Sequence, residues 1–134
     1  MRYRIATWLV CLVWLSSCTG TTNVQPAFIS FRLAQPDNQA TFSLYIDANG
    51  YVVRTIDRRT DEFVLSSTDF ATLLNQLDAV VFERIAPLSD EERAQHRYYT
   101  ITYQAKQIQL LEHAVPPALM PLMITFRRII DVEL

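Results

Sequence analysis

The stretch Thr41-Phe42-Ser43-Leu44-Tyr45-Ile46-Asp47-Ala48-Asn49-Gly50-Tyr51-Val52 decides the fold class. Up to Ile46 the side chains alternate, so that Phe42, Leu44 and Ile46 face one way and Thr41, Ser43 and Tyr45 the other, the period of a half-buried β-strand. Turn-forming residues follow, and apolar residues resume at once in a third strand, Tyr51–Ile56. Asn49-Gly50 between two such runs is the strongest hairpin signal in the chain, because both residues tolerate the positive φ of a tight reversal. Asp47 and Asn49 serve that turn rather than a calcium ion, which takes six or more oxygen ligands.

Working outward, Ile29, Phe31 and Leu33 alternate with Ser30 and Arg32 in a first strand, and Gln35-Pro36-Asp37-Asn38 supplies turn chemistry. Downstream, Ser66-Ser67-Thr68-Asp69 has capping-box spacing, with Ser66 able to accept from the Asp69 amide and Asp69 able to reach back. Phe70, Leu73, Leu74, Leu77 and Val81 then recur at helical spacing and predict an amphipathic helix. Residues 80–85 read as an extended piece leaving that helix, and residues 87–95, with Asp90, Glu91, Glu92 and Arg93, as a solvated loop or single helical turn.

Tyr98–Tyr103 puts Tyr99, Ile101 and Tyr103 on one side, and residues 107–111 answer with Ile108 and Leu110 across a turn at Ala105-Lys106. In the last segment Leu119, Leu122, Met123, Phe126 and Ile130 share one helical face. Pro121 would break a helix begun at Ala114, but with Pro117 or Ala118 as N-cap it falls in the first turn, where its missing N–H costs nothing. The expected order is β-β-β-α-β-β-β-α: an α+β domain, an antiparallel β-sheet with two α-helices on one face.

Ahead of this domain stands a different kind of sequence. Arg2 and Arg4 precede an apolar run at residues 5–15 interrupted only by Thr7. As a helix that run spans about 16 Å, roughly half of the ~30 Å hydrocarbon core, so it reads as the h-region of a secretory signal peptide. Leu15-Ser16-Ser17-Cys18 resembles the lipobox of bacterial lipoproteins. That resemblance implies diacylglyceryl transfer to the Cys18 thiol, cleavage between Ser17 and Cys18, and acylation of the freed amine with a fatty acid such as palmitate. Small side chains at Ser16 and Ser17 let a peptidase approach the bond. The chain thus divides into a signal peptide at 1–17, a lipidated N-terminus and flexible tether at 18–27, and one α+β domain at 28–134. Thr19 occupies the position where aspartate retains enterobacterial lipoproteins in the inner membrane, so outer-membrane anchoring facing the periplasm is expected.

Cleavage after Ser17 takes 17 of the 134 residues and leaves 117, one ordinary domain. Of 12 Lys and Arg residues Arg2 and Arg4 leave with the peptide, so ten remain against 14 Asp and Glu, a formal charge of about −4. A net negative surface does not attract nucleic acid, and the pairs Arg58-Arg59 and Arg127-Arg128 read as solvated surface. Of the two cysteines, Cys11 lies in the discarded segment and Cys18 carries lipid, so the exported domain has no disulfide and depends on its core.

Enzyme chemistry finds little to work with. Gly20 and Gly50 are the chain's two glycines, which leaves no phosphate-cradling loop and no G-x-S-x-G nucleophile elbow. His96 and His113 stand seventeen apart without a zinc-protease motif, and His96 reads as a surface histidine. Asp61-Glu62 and Asp90-Glu91-Glu92 are read as solvated loop carboxylates rather than an acid/base pair. The expectation is a protein that is not an enzyme, with no cofactor, no metal and no small-molecule substrate.

The second half also resembles emfourin, a family of small inhibitors of protealysin, a thermolysin-like zinc metalloprotease. The likeness rests on Tyr98-Tyr99-Thr100-Ile101-Thr102-Tyr103, a short turn and strand, and then Val115-Pro116-Pro117-Ala118-Leu119-Met120-Pro121-Leu122 leading into the last helix. The first half is similar in pattern, a hairpin followed by a helix, so the resemblance spans most of residues 28–131. It implies a protein-binding module whose partner is an exported metalloprotease. Candidate contacts are Asp37, Asn38, Asn49, Asp90, Glu91, Glu92 and Arg93, expected on loops at one end of the sheet. The other reading that the sequence supports is a structural or assembly component of an envelope membrane complex.

Overall fold

The computed structural model describes residues 28–37 and 39–131. The expected signal peptide, lipobox and tether lie outside the described residues, as does Asn38. The domain is α+β, and its strands form one six-stranded antiparallel sheet. β1 (Ile29–Ala34), β2 (Ala40–Ile46), β3 (Tyr51–Ile56) and β4 (Arg59–Val64) precede α1 (Ser67–Asp78). A short α2 (Asp90–Gln95), β5 (Tyr98–Tyr103), β6 (Lys106–Leu111) and α3 (Met120–Ile130) follow. The spatial order is β4-β3-β2-β1-β5-β6. β1 is the hub, with Phe31 between Leu44 of β2 and Ile101 of β5.

The alternation that reads as strands is the alternation that is buried. Ile29, Phe31, Leu33, Leu44, Ile46, Val52, Tyr99, Ile101, Tyr103, Ile108 and Leu110 form one side of the core. Leu73 and Leu77 of α1 and Leu122, Phe126 and Ile129 of α3 form the other. The two helices pack side by side on this face, and Arg128 of α3 donates to Asp69 of α1 at 2.9 Å. At the opposite end of α1, Tyr103 Oη donates to Asp78 at 2.6 Å, and burial with this acidic partner pushes the phenol up to about 12.

Four details depart from the expected order. β4 is an additional strand, and its composition hides it: of Arg59-Thr60-Asp61-Glu62-Phe63-Val64 only the last two are apolar, because an edge strand is half solvated. Residues 80–85 form no strand; Phe82–Arg84 make a single 3-10 turn. The order before the first long helix is therefore four strands, and two follow it. α2 is a third helix on the outer face, where Arg93 reaches Gln109 Oε1 at 3.0 Å. Its start has a full capping box, with Ser89 Oγ accepting from the Glu92 amide and the Glu92 carboxylate from the Ser89 amide. At α1, Ser66 caps the Asp69 amide as expected, but Asp69 turns to Arg128 instead of reaching back.

The final helix begins with a 3-10 turn at Pro117–Leu119, and Pro121 sits in the first turn of α3 where its absent N–H is harmless. The hairpin turns divide the work differently from the sequence signal. In the 47–50 loop only Gly50 adopts positive φ, at 81°. Asp47 holds the loop by accepting from the amides of Asn49 at 2.8 Å and Tyr51 at 3.0 Å. A Cβ at Gly50 would stand 3.4 Å from the Phe70 ring, so glycine also lets α1 approach.

The β3–β4 and β5–β6 hairpins turn without glycine. Asp57 and Arg58 have φ of 47° and 70°, Gln104 and Ala105 of 48° and 63°. The second turn is thus one residue earlier than Ala105-Lys106. A left-handed backbone costs a residue with a Cβ about 1–2 kcal/mol. Arg58→Gly and Ala105→Gly should each therefore raise stability by roughly 0.5 kcal/mol after the entropy cost of glycine in the unfolded chain. Chemical denaturation that shows destabilisation by both would contradict the two-residue turns.

Among the described residues one charged side chain is buried. Arg54 of β3 is 6% exposed. It forms a fork with Asp61 of β4, Nε to Oδ1 at 2.8 Å and Nη2 to Oδ2 at 2.6 Å. Nη1 donates to the Ile130 carbonyl at 2.7 Å, capping α3, and the guanidinium lies 5.1 Å from the centre of the Phe63 ring. These hydrogen bonds hold the Asp61 carboxyl below its ordinary value. Asp61 and Glu62 belong to a strand, not to a polar loop, and Asp61 is committed to structure.

Candidate functional site

The expected contact residues are not gathered at one end of the sheet. Pairing places Ile29 beside Ile46 and Tyr103, and Ala34 beside Ala40 and Tyr98. The 47–50 loop with Asn49 therefore lies at the Ile29 end, where the chain comes in from Phe28. Asp37 lies at the Ala34 end, accepting from the Gln39 amide at 3.0 Å. Asp90, Glu91, Glu92 and Arg93 form α2 on the outer face. Glu92 is held by its cap, and the Ser89 hydrogen bonds keep its carboxyl below the ordinary carboxylate range. Arg93 is engaged by Gln109, the Leu88 carbonyl at 3.2 Å, and Asp90. Glu92 and Arg93 thus build the surface more than they offer it.

A different feature offers itself at the Ala34 end. Between α3 and the sheet runs an open cavity of about 580 Å³. Its floor is Phe31, Phe42 and Tyr99, its helix wall Met120, Met123, Ile124 and Arg127, and Glu112, His113 and Val115 close the far side. That volume falls in the range of sites that receive a small molecule or a partner's side chain. The floor is rigid: Phe31 stacks on Tyr99 with centroids 5.3 Å apart and on Phe126 at 4.2 Å. The lip is apolar and exposed, Met120 by 45% and Ile124 by 64%.

Two observations explain why this groove is hard to read from sequence. The core stripe of α3 accounts for Leu122, Met123, Phe126, Ile129 and Ile130, whereas Met120 and Ile124 stand one turn apart off that stripe. Apolar residues at i and i+4 on the solvent side of a helix are the signal that was there to find. The rest of the site comes from strands and loops far apart in the chain.

Among the described residues no group of three or more His, Cys, Asp and Glu side chains is arranged to hold a metal ion, and no helix is long and apolar enough to cross a membrane. Glu112 and Arg97 face each other across the sheet end, Oε2 to Nε 3.1 Å, and Arg127 is exposed on the opposite wall. The groove therefore has a charged rim around an aromatic floor. Comparison with family models, with characterised proteins and with solved structures found no match. The likeness to emfourins accordingly rests on the sequence pattern quoted above.

Proposed function

We propose that the chain is a lipid-anchored envelope lipoprotein, held in the outer membrane facing the periplasm, whose domain binds a protein partner through the groove beside α3. The observation that carries this reading is the exposed apolar lip of Met120 and Ile124 over a floor of packed aromatic rings. Apolar side chains of this size in water gain by burial, and rigid aromatic pockets with a polar rim are where interface anchors seat. The groove opens at the Ala34 end of the sheet, away from Phe28. Chemistry by the domain itself is not part of this reading.

The first partner to test is a thermolysin-like metalloprotease exported by the same organism, as the emfourin resemblance implies, with inhibition by steric blocking. An assembly role in an envelope complex is the second reading, favoured by the same exposed apolar lip. Ile124→Asp separates them from a folding effect. At a position 64% exposed the change should move stability by less than about 0.5 kcal/mol. A partner seated in the groove should nonetheless lose at least tenfold in affinity. An assay against such proteases that finds neither binding nor inhibition by the wild-type lipoprotein removes the inhibitor reading. Unchanged affinity of Ile124→Asp for a partner that does bind removes the groove.

A further inference from the structure

We propose that His96 and His113 form a two-imidazole site for a late first-row divalent cation, zinc or copper, at the end of the sheet away from Phe28. The chain has two histidines in 134 residues, and both are here. Their ring centroids are 4.9 Å apart with the planes inclined at 57°.

The β5–β6 hairpin brings them together. Its register pairs Tyr98 with Leu111. The ladder runs one step further, with the Glu112 amide donating to the Arg97 carbonyl at 3.0 Å, and the next positions out are His96 and His113. Both residues are exposed. Of the neighbouring charges, Arg97 and Glu112 form their own ion pair, and the Glu92 carboxylate lies close enough to His96 to interact with it.

The separation suits a shared ion. With a metal–nitrogen distance of about 2.0–2.1 Å and ligand angles between square and tetrahedral, two imidazole centroids lie roughly 4.5–5.2 Å apart. Imidazole selects zinc, copper or nickel over magnesium and calcium, which prefer oxygen. With two protein ligands the remaining positions fall to water, so the ion exchanges readily and does not hold the fold together.

The test uses the lipidated protein purified from membranes in detergent with a histidine-free tag, titrated with zinc chloride and, as control, magnesium chloride. Calorimetry should find one zinc ion per chain and no magnesium. His96→Gln and His113→Gln should each weaken zinc binding at least tenfold. Because the chain has two histidines, the ring-proton resonances of the wild type give a measurement that needs no variant: both should respond to zinc in step. No binding up to millimolar zinc, wild-type affinity in either single variant, or a response of one ring alone would overturn the site.

Discussion

Phe126→Ala is expected to cost the domain about 3–5 kcal/mol, the range for deleting a large side chain from a packed core. Phe126 is wholly buried. Its ring lies on Phe31 with centroids 4.2 Å apart and planes within 10°, and Phe31 in turn meets Tyr99 and Phe42, so one stack joins α3 to β1, β2 and β5. Removing it leaves a void that rigid strands close poorly. A domain of this size is stable by only ~5–15 kcal/mol, so this single change consumes a large share. Urea denaturation monitored by circular dichroism gives the number. Ile124→Ala on the same helix, at a side chain 64% exposed, should change it by less than about 0.5 kcal/mol. If Phe126→Ala cost no more than Ile124→Ala, the packing of α3 on the sheet would be wrong.

The second large effect concerns location. Cys18→Ser should abolish labelling by radioactive palmitate and leave the protein uncleaved or soluble, because Cys11 lies within the apolar run and no thiol follows Cys18. A thioether cannot form on serine by the same transfer. Each buried acyl methylene contributes ~0.8 kcal/mol to membrane attachment, and one chain alone binds only marginally, so on the lipoprotein reading a cleaved chain without its lipids should leave the membrane. Label at the wild-type level in Cys18→Ser would end the lipoprotein reading. Wild-type protein found only with inner-membrane markers would end the outer-membrane part of it.

These outcomes bear on different parts of the molecule and can be separated. Failure of the groove variant leaves the anchor standing, and failure of the lipid label leaves the groove standing. The resemblance to emfourins bears on neither directly, since it concerns the identity of the partner. Turn substitutions at Arg58 and Ala105 test the sheet alone.

What the sequence by itself determined is periodic and local. Alternation at residues 29–33, 41–46 and 98–103 placed the inward faces, because side chains of a strand alternate whatever lies around it. The stripe Leu119, Leu122, Met123, Phe126 and Ile130 is buried as read, and Ser66 caps α1. Where apolar periodicity was weak, the reading ran out. β4 carries Arg59, Asp61 and Glu62 and becomes a strand by hydrogen-bonding to β3, with Asp61 drawn to Arg54. No local pattern announces a buried arginine whose partners are a carboxylate seven residues on and the carbonyl ending a helix seventy-six residues away.

The tertiary structure also decided which surface residues keep company. Asp37 and Asn49, adjacent turns in sequence, end on opposite ends of the sheet, because each strand of an antiparallel pair reverses direction. His96 and His113, seventeen residues apart, meet because the hairpin between them has a two-residue turn and its register brings their ends together. The groove needs Phe42, Tyr99, Val115 and Ile124 at once, from four segments of the chain. Short-range chemistry specifies elements and faces; which faces meet follows from long-range pairing that no window of sequence contains.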